Sequence, residues 1–484
     1  GMGVKSEISR LKSSRARVKS GFGGIVKTTD EKLLDFKYSP KCTNFTFRGG
    51  ALKSDLGFKR ARVNVKYEWV YMEIAVLSDI SDFVDVFLYR KTLADGTYDD
   101  RLVAQSSTGK FYQFKIFQPM VWREIPDFNT LDRVCTACYN YNGNDVLLIA
   151  HSGGLTILND NTISTVTDAP RFSSMCVHSE RIFATDAKKK NAVWFSDDFN
   201  PTNWKVSLED AGFIEFADEC GDVLKIISFL NSVYVFREYG IFKITAFGDQ
   251  TEFSVTKVVG DIGKIIGDTV VEESDRILFM CDDGLYSFNG YEVTKKGREL
   301  PKFERLSYCT ACAHLGKYYI ACRLKGITDM PSDYVNNALI EYDLETNLFS
   351  VITNIDINRF LPVNVHHNIY VYFTLNTGDR RFLQMIWNKG EYYGGAVMTK
   401  VWESPENNLG SEKLKILREI HFSTLSDVTL TVTLDGVSKE YKIEGSPKPQ
   451  KVIVNRKGYF VKLAIKSTAA DNHITPPVLI FDVR

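Results

Sequence analysis

A chain of 484 residues, 44% of them hydrophobic, carries enough apolar material for a large core, expected in two folded regions rather than one. Its 60 basic and 60 acidic side chains cancel, so no net field draws it to nucleic acid, an anionic membrane or a cationic partner. No apolar run reaches the ~18 residues that cross a bilayer and the first residues lack the apolar centre of an export signal, so the nine cysteines are expected as free thiols in a reducing compartment.

The chain opens with Lys5, Arg10, Lys12, Arg15, Arg17 and Lys19 against a single acid, Glu7. With few apolar residues, positions 1–20 cannot build a core and are expected to form a basic, flexible arm. Such an arm could order on an acidic neighbouring subunit; a grip on DNA is disfavoured, because no aromatic or polar readers accompany the charge. A lead-in segment over 21–63 follows.

Between Val84 and Trp387 one small pattern recurs seven times. A polar residue opens an apolar run at Arg101, Asp145, Arg181, Ser232, Arg276, Lys317 and Asn368, with a mean step of about 44.5 residues, inside the ~40–50 of a four-stranded propeller blade. A second run follows each anchor, starting at Lys110, Gly154, Ala192, Gly240, Gly284, Ala338 and Phe382. Runs of β-branched and aromatic residues bounded by Gly, Asn, Asp and Ser read as strands. The expectation is an all-β chain whose residues 64–400 form a seven-bladed β-propeller, six to eight blades being compatible with the spacing. Radial repetition leaves only short edges exposed.

Within the repeat, two C-x-x-C pairs, Cys135/Cys138 and Cys309/Cys312, could supply four thiolates to zinc. Both pairs precede an anchor and so fall on inner strands, where residues three apart point to opposite faces; small buried thiols are the favoured reading. None of the seven histidines sits in an H-E-x-x-H arrangement, and His366-His367 falls in the turn before Asn368. The stretch Trp194 to Trp204 is similar to the Asp-box turn S-x-D-x-G-x-x-W of sialidase propellers, with Asn200 in the left-handed glycine position and Trp204 one residue late. An Asp box is a folding device, and its aromatic pair is expected to cover the Pro201 turn. No G-x-S-x-G elbow or P-loop is present. The expected catalytic, cofactor-binding and metal-ligating residues are therefore none, and no cofactor is expected.

After Lys400 the pattern changes. Trp402 to Ser411 reads as a polar linker, and short strands follow at Lys415 to Phe422, Val428 to Leu434, Glu440 to Ile443, Lys451 to Val454, Tyr459 to Ile465 and Val478 to Val483. The alternation Thr429 to Leu434 closed by Asp435-Gly436 is a hairpin signal. Residues 401–484 are expected to form a small β-sandwich beside the propeller, with edges able to accept a strand.

Three stretches resemble one family. Trp194-Phe195-Ser196-Asp197 opens a turn, a hairpin follows, then the strand Gly240-Ile241-Phe242 and an Ile-Gly step in the run from Gly260 to Val271. Ser39 to Phe45, Gly50 to Lys53 and Leu56 to Phe58 form a matching lead-in, and Trp402 to Arg484 a matching C-terminal region. Together these resemble the packaged-DNA stabilisation and tail accessory propellers of tailed double-stranded DNA phages. The resemblance implies a non-enzymatic virion component of the head-to-tail connector or tail hub, assembled in the host cytoplasm, that helps close the portal channel and retain DNA. It also implies self-association and contact with neighbouring portal or tail proteins, without a membrane; direct contact with nucleic acid has no support in it. Two other classes fit a propeller: a glycan- or peptide-binding module, marked by exposed aromatics in its loops, and a glycosidase-type hydrolase, marked by paired carboxylates in a central pocket.

Overall fold

The computed structural model describes residues 15–27, 30–67, 70–75, 82–116, 121–296, 300–328, 330–365, 367–377 and 382–484. Seven four-stranded antiparallel sheets follow one another along the chain and make a seven-bladed β-propeller. The innermost strands are Phe83–Thr92, Cys135–Tyr141, Met175–His178, Val223–Phe229, Val271–Glu273, Phe303–His314 and Ile357–Val365. Second strands such as Arg181–Thr185 and Ser232–Arg237 are buried along their whole length. Neighbouring blades cover both of their faces, so these strands read as unbroken apolar runs, the signal that revealed the repeat.

Blade seven is completed from the far end of the chain. Its first three strands are Ile357–Val365, Asn368–Leu375 and Leu383–Ile386, and its outermost strand is Gly57–Arg60, paired Leu383 with Arg60 and Ile386 with Gly57. The expected lead-in over 21–63 is corrected here, because residues 57–60 belong to the ring and clasp its ends. Phe58 seals the joint: it is buried and meets Phe373 edge-on at 5.4 Å.

The sandwich likewise draws on both termini. One sheet orders Arg15–Lys19, Val478–Val483, Lys415–Thr424, Asn472–Ile474, Ala51–Ser54 and Thr46–Arg48, with Ser446–Gly458 paired to Lys415–Thr424. The other orders Lys41–Thr43, Lys400–Glu403, Val461–Ser467, Val428–Leu434 and Val437–Ile443. The arm expected over 1–20 is thus corrected at Arg15–Lys19, which satisfies its backbone groups on Val478–Val483 and pairs Arg15 with Asp482 at 3.3 Å. The boundary at 401 is also too narrow, since four N-terminal strands and Lys400 join the sandwich. The Asp435-Gly436 hairpin forms as its sequence requires, with φ of 49° and 82°.

Trp402, fully buried with Phe22 edge-on at 5.1 Å, anchors the sandwich interior. That interior is continuous with the propeller: Tyr318, Tyr342 and Val351 of blade six join one cluster with Trp402, Leu417 and Leu463.

Candidate functional site at the axial channel and the propeller faces

The seven anchors mark second strands, and two of them pin their own blades through their side chains. Arg101 donates to Gln113 at 3.0 Å and pairs with Asp99 at 2.9 Å, while Arg181 donates to the carbonyls of Ser196 and Asp210, both at 3.0 Å. At Arg101 and Arg181 the polar anchor is thus a structural pin.

Both C-x-x-C pairs lie on innermost strands. Cys309 and Cys312 are buried, but Cys138 departs from the expected buried thiol: it is exposed, with its Sγ 3.5 Å from the Leu88 carbonyl. Burial pushes the Cys135 thiol up to about 12 and that of Cys309 equally far, so neither presents a thiolate at neutral pH. Among the described residues no group of three or more His, Cys, Asp or Glu side chains comes together as a metal set. His366 lies outside the described residues; His367 occupies a left-handed turn position, φ 66°.

The Asp-box-like segment closes the outer hairpin of blade three. Asp197 bridges to Asn200 and accepts from the Asn203 amide at 3.1 Å. The left-handed residue is Phe199, φ 54°, one place before the expected Asn200. Only one aromatic covers the turn: Trp204 donates to the Pro201 carbonyl at 2.9 Å and packs on Phe172, whereas Trp194 donates to Asp186 at 2.9 Å and lies on Phe213. The shift follows from the extra residue before Trp204.

At one end of the axis, the loops feeding the innermost strands converge. Arg133, before blade two, reaches Asp268, before blade five, at 3.3 Å. Beside them Asp85 is 6% exposed; Arg359 of blade seven meets it at 3.0 Å and the Val86 N–H donates to it at 2.9 Å. Burial pushes the Asp85 carboxyl up to about 7, opposed by the Val86 N–H and the Arg133 charge. The cavity at this mouth measures about 330 Å³ and is lined by Asp85, Gln105, Asp132, Arg133, Asn358 and Arg359. A buried, shifted carboxyl in a cleft is the usual sign of acid–base chemistry. Here Asp85 and Asp268 are each engaged by an arginine, which makes the arrangement a polar seal between blades.

Deeper along the axis a space of about 470 Å³ is bounded by Cys176, Lys225, Ile227, Glu272, Ala311 and Pro362, among others. Burial raises the Glu272 carboxyl. Lys225 and Glu272 are the charged side chains of this lining, so among the described residues this cavity holds no pair of carboxylates.

The two propeller faces differ. On the face made by first-to-second and third-to-fourth strand turns, Phe199, Leu208, Leu230, Phe247, Tyr291 and Leu315 are exposed, Leu208 by 77% and Tyr291 by 78%. These positions fall in blades three to six, and Leu93 and Val121 of blade one and Ile369 of blade seven are exposed on the same face. On the opposite face the exposed large apolar side chains among the described propeller residues are Leu131, Tyr239 and Tyr308. Single exposed apolar residues mean little, but their bias to one face, with most of them in blades three to six, is informative.

Where sandwich meets ring, a polar network holds the two together. Arg48, from the strand Thr46–Arg48, forks onto Glu341 of blade six, one arm at 3.0 Å, and onto Asp55 at 3.0 Å. Glu341 also accepts from the Tyr319 hydroxyl at 2.8 Å, which accepts in turn from the Trp387 indole at 2.8 Å. His314 stacks on Trp387 with ring centroids 4.2 Å apart. Burial first, then Lys317, lowers the His314 pKa to about 4. Because the unfolded imidazole takes its proton near pH 6.5 and the folded one only near 4, stability is full above about 6.5 and falls as pH drops toward 4. We expect His314 to contribute about 2 kcal/mol to the loss over that interval in denaturant titrations, a contribution removed in His314→Phe; an unchanged pH slope in that variant would contradict it.

Sequence reasoning did not reach these groups. Arg48 and Glu341 are 293 residues apart and Arg359 and Asp85 are 274 apart, so no local spacing signals either pair.

No family model matches the chain, and no curated protein does. Among solved structures it is similar to BBS1N in complex with ARL6DN, at 12% identity over 65% of this chain and 94% of that one, TM-score 0.42. It is also similar to a catalytically inactive virginiamycin B lyase from Staphylococcus aureus with quinupristin, at 10% identity over 68% and 99%, TM-score 0.42. The computationally designed Ika8 protein matches at 10% identity over 63% and 98%, TM-score 0.35. Likeness at this level carries nothing about activity or partners.

Proposed function

We propose that this protein is a non-enzymatic assembly component, self-associating through the apolar sector of blades three to six, in the head-to-tail connector or tail hub of a tailed phage or prophage, where it helps close the portal channel. The observation that carries the assembly role is the asymmetry of the faces: Phe199, Leu208, Leu230, Phe247, Tyr291 and Leu315 crowd one sector, and the opposite face has no such cluster among its described residues. Such a cluster marks a protein contact. The occupant we assign is a second copy of the chain, because 60 positive and 60 negative charges leave copies with no net repulsion. One apolar sector meeting the same sector of a second copy makes an isologous, two-fold contact, which closes as a dimer.

At the mouth, the arginines that engage Asp85 and Asp268 support the non-enzymatic part, with Asp132 the other carboxylate of that cavity's lining. The place in a phage connector rests on the sequence resemblance given above. It is tested by mixing the protein with portal rings and imaging them by electron cryomicroscopy. Added density on the portal axis is expected; bare rings at saturating protein would contradict the placement.

A further inference from the structure

A cavity of about 610 Å³ lies between blade six and the N-terminal lead-in of the sandwich, away from the axis and from the apolar sector. Its size is that of a pocket for a small organic ligand, and domain junctions are common places for one. Three cations border it: Lys27, Lys41 and Lys325. None of the three has a carboxylate within salt-bridge distance among the described residues. Ile327, Met330 and Val397 supply an apolar wall.

The framework is rigid where it matters. Lys41 is on the strand Lys41–Thr43, paired residue for residue with Lys400–Glu403. The chain bearing Lys27 is fixed by the Val26 N–H donating to the Ser39 carbonyl at 2.8 Å. Asn44, in a left-handed conformation with φ 68°, donates to the Thr399 carbonyl at 2.7 Å and accepts from the Thr353 N–H at 2.8 Å, tying lead-in, linker and blade six into one floor. A site held open in this way loses little entropy when it is filled.

All three lysines are exposed; Lys27 and Lys41 repel each other across the cavity's edge, and a bound anion relieves that repulsion. Burial first, and Lys41 second, lower the Lys27 pKa; Glu403, across the strand pair from Lys41, and Cys42 act in the opposite sense. Glu403 does not line the cavity.

We propose that this pocket binds a small phosphate-bearing organic anion of mononucleotide size, with Lys27, Lys41 and Lys325 on the phosphate and the Ile327–Met330–Val397 wall against the organic part. Surface lysines that merely solvate a face would take inorganic phosphate and organic phosphate equally weakly. The apolar wall predicts a preference for the organic phosphate. This site is independent of the assembly role, and either reading can fail alone.

Calorimetric titration of the full chain with AMP, UMP, glucose 6-phosphate, adenosine and inorganic phosphate tests it. At least one of the organic phosphates is expected to bind with a Kd below about 1 mM, at least tenfold tighter than adenosine or inorganic phosphate. Lys27→Gln and Lys41→Gln should each weaken that ligand at least tenfold, and Lys225→Gln, in the axial lumen, should leave it unchanged. Circular dichroism and the denaturation midpoint of each variant report whether it folds. The proposal is overturned if no organic phosphate binds, if adenosine binds as tightly as its phosphate, or if folded Lys27→Gln and Lys41→Gln bind unchanged. A single-stranded DNA oligomer that binds without dependence on Lys27 and Lys41, while the small phosphates do not, would also overturn it.

Discussion

Glu341→Ala is expected to cost about 3 kcal/mol of stability, among the largest losses available to a single polar substitution in this chain. Glu341 is 2% exposed and is the acceptor for both the Arg48 fork and the Tyr319 hydroxyl. Burial alone would lower the Arg48 pKa; Glu341 and Asp55 more than reverse it and hold the guanidinium charged. Removing Glu341 leaves that charge with Asp55 alone and strands the Tyr319 hydroxyl in a buried setting. Asp55 remains, which keeps the expected loss at the lower end of the ~3–5 kcal/mol range for broken buried pairs. In a double-mutant cycle with Arg48→Ala, the two losses should fall short of additivity by more than about 1 kcal/mol. A loss below about 1 kcal/mol for Glu341→Ala would show that the sandwich is held to blade six by apolar packing alone.

Gly57→Val is expected to open the ring. The strand Gly57–Arg60 closes blade seven, and a Cβ at Gly57 would stand 2.6 Å from the Glu391 nitrogen and closer still to the Lys389 carbonyl. Both neighbours are backbone, so they cannot swing aside as a side-chain tip would. Overpacking of this kind costs about 1–3 kcal/mol or more, and here it also threatens the Phe58 N–H bond to the Glu391 carbonyl at 2.9 Å. In hydrogen exchange, amides of Gly57–Arg60 and Leu383–Ile386 should lose protection together, while blades two to four keep theirs. Wild-type protection across blade seven in this variant would mean that the ring closes elsewhere.

The propeller was readable in the sequence because its second strands are buried on both faces. Runs such as Arg181–Thr185 and Arg276–Cys281 therefore stand out without any partner being known. The Asp435-Gly436 hairpin was readable for a similar reason, since its turn chemistry and its alternation are local. The clasp was not. Gly57–Arg60 is four residues long, carries two basic side chains and meets its partner more than 300 positions later, so nothing near it distinguishes a strand from a linker. Arg15–Lys19 misled for a related reason: a half-exposed edge strand needs little apolar content, and its basic residues read as solvated. The polar clusters at Glu341 and Asp85 were illegible because each is assembled from separate blades or from blade and sandwich. The apolar sector was hidden because its members sit singly in polar turns, and only the ring places them on one face.

Sedimentation velocity across a concentration series tests most directly whether the apolar sector is an assembly surface. Wild-type protein is predicted to sediment as a dimer whose fraction rises with concentration, and the pair Leu230→Asp with Phe247→Asp, which alters two exposed positions, is predicted to remain monomeric with an unchanged denaturation midpoint. A wild-type chain that stays monomeric throughout, or a folded variant that sediments like wild type, would contradict the account.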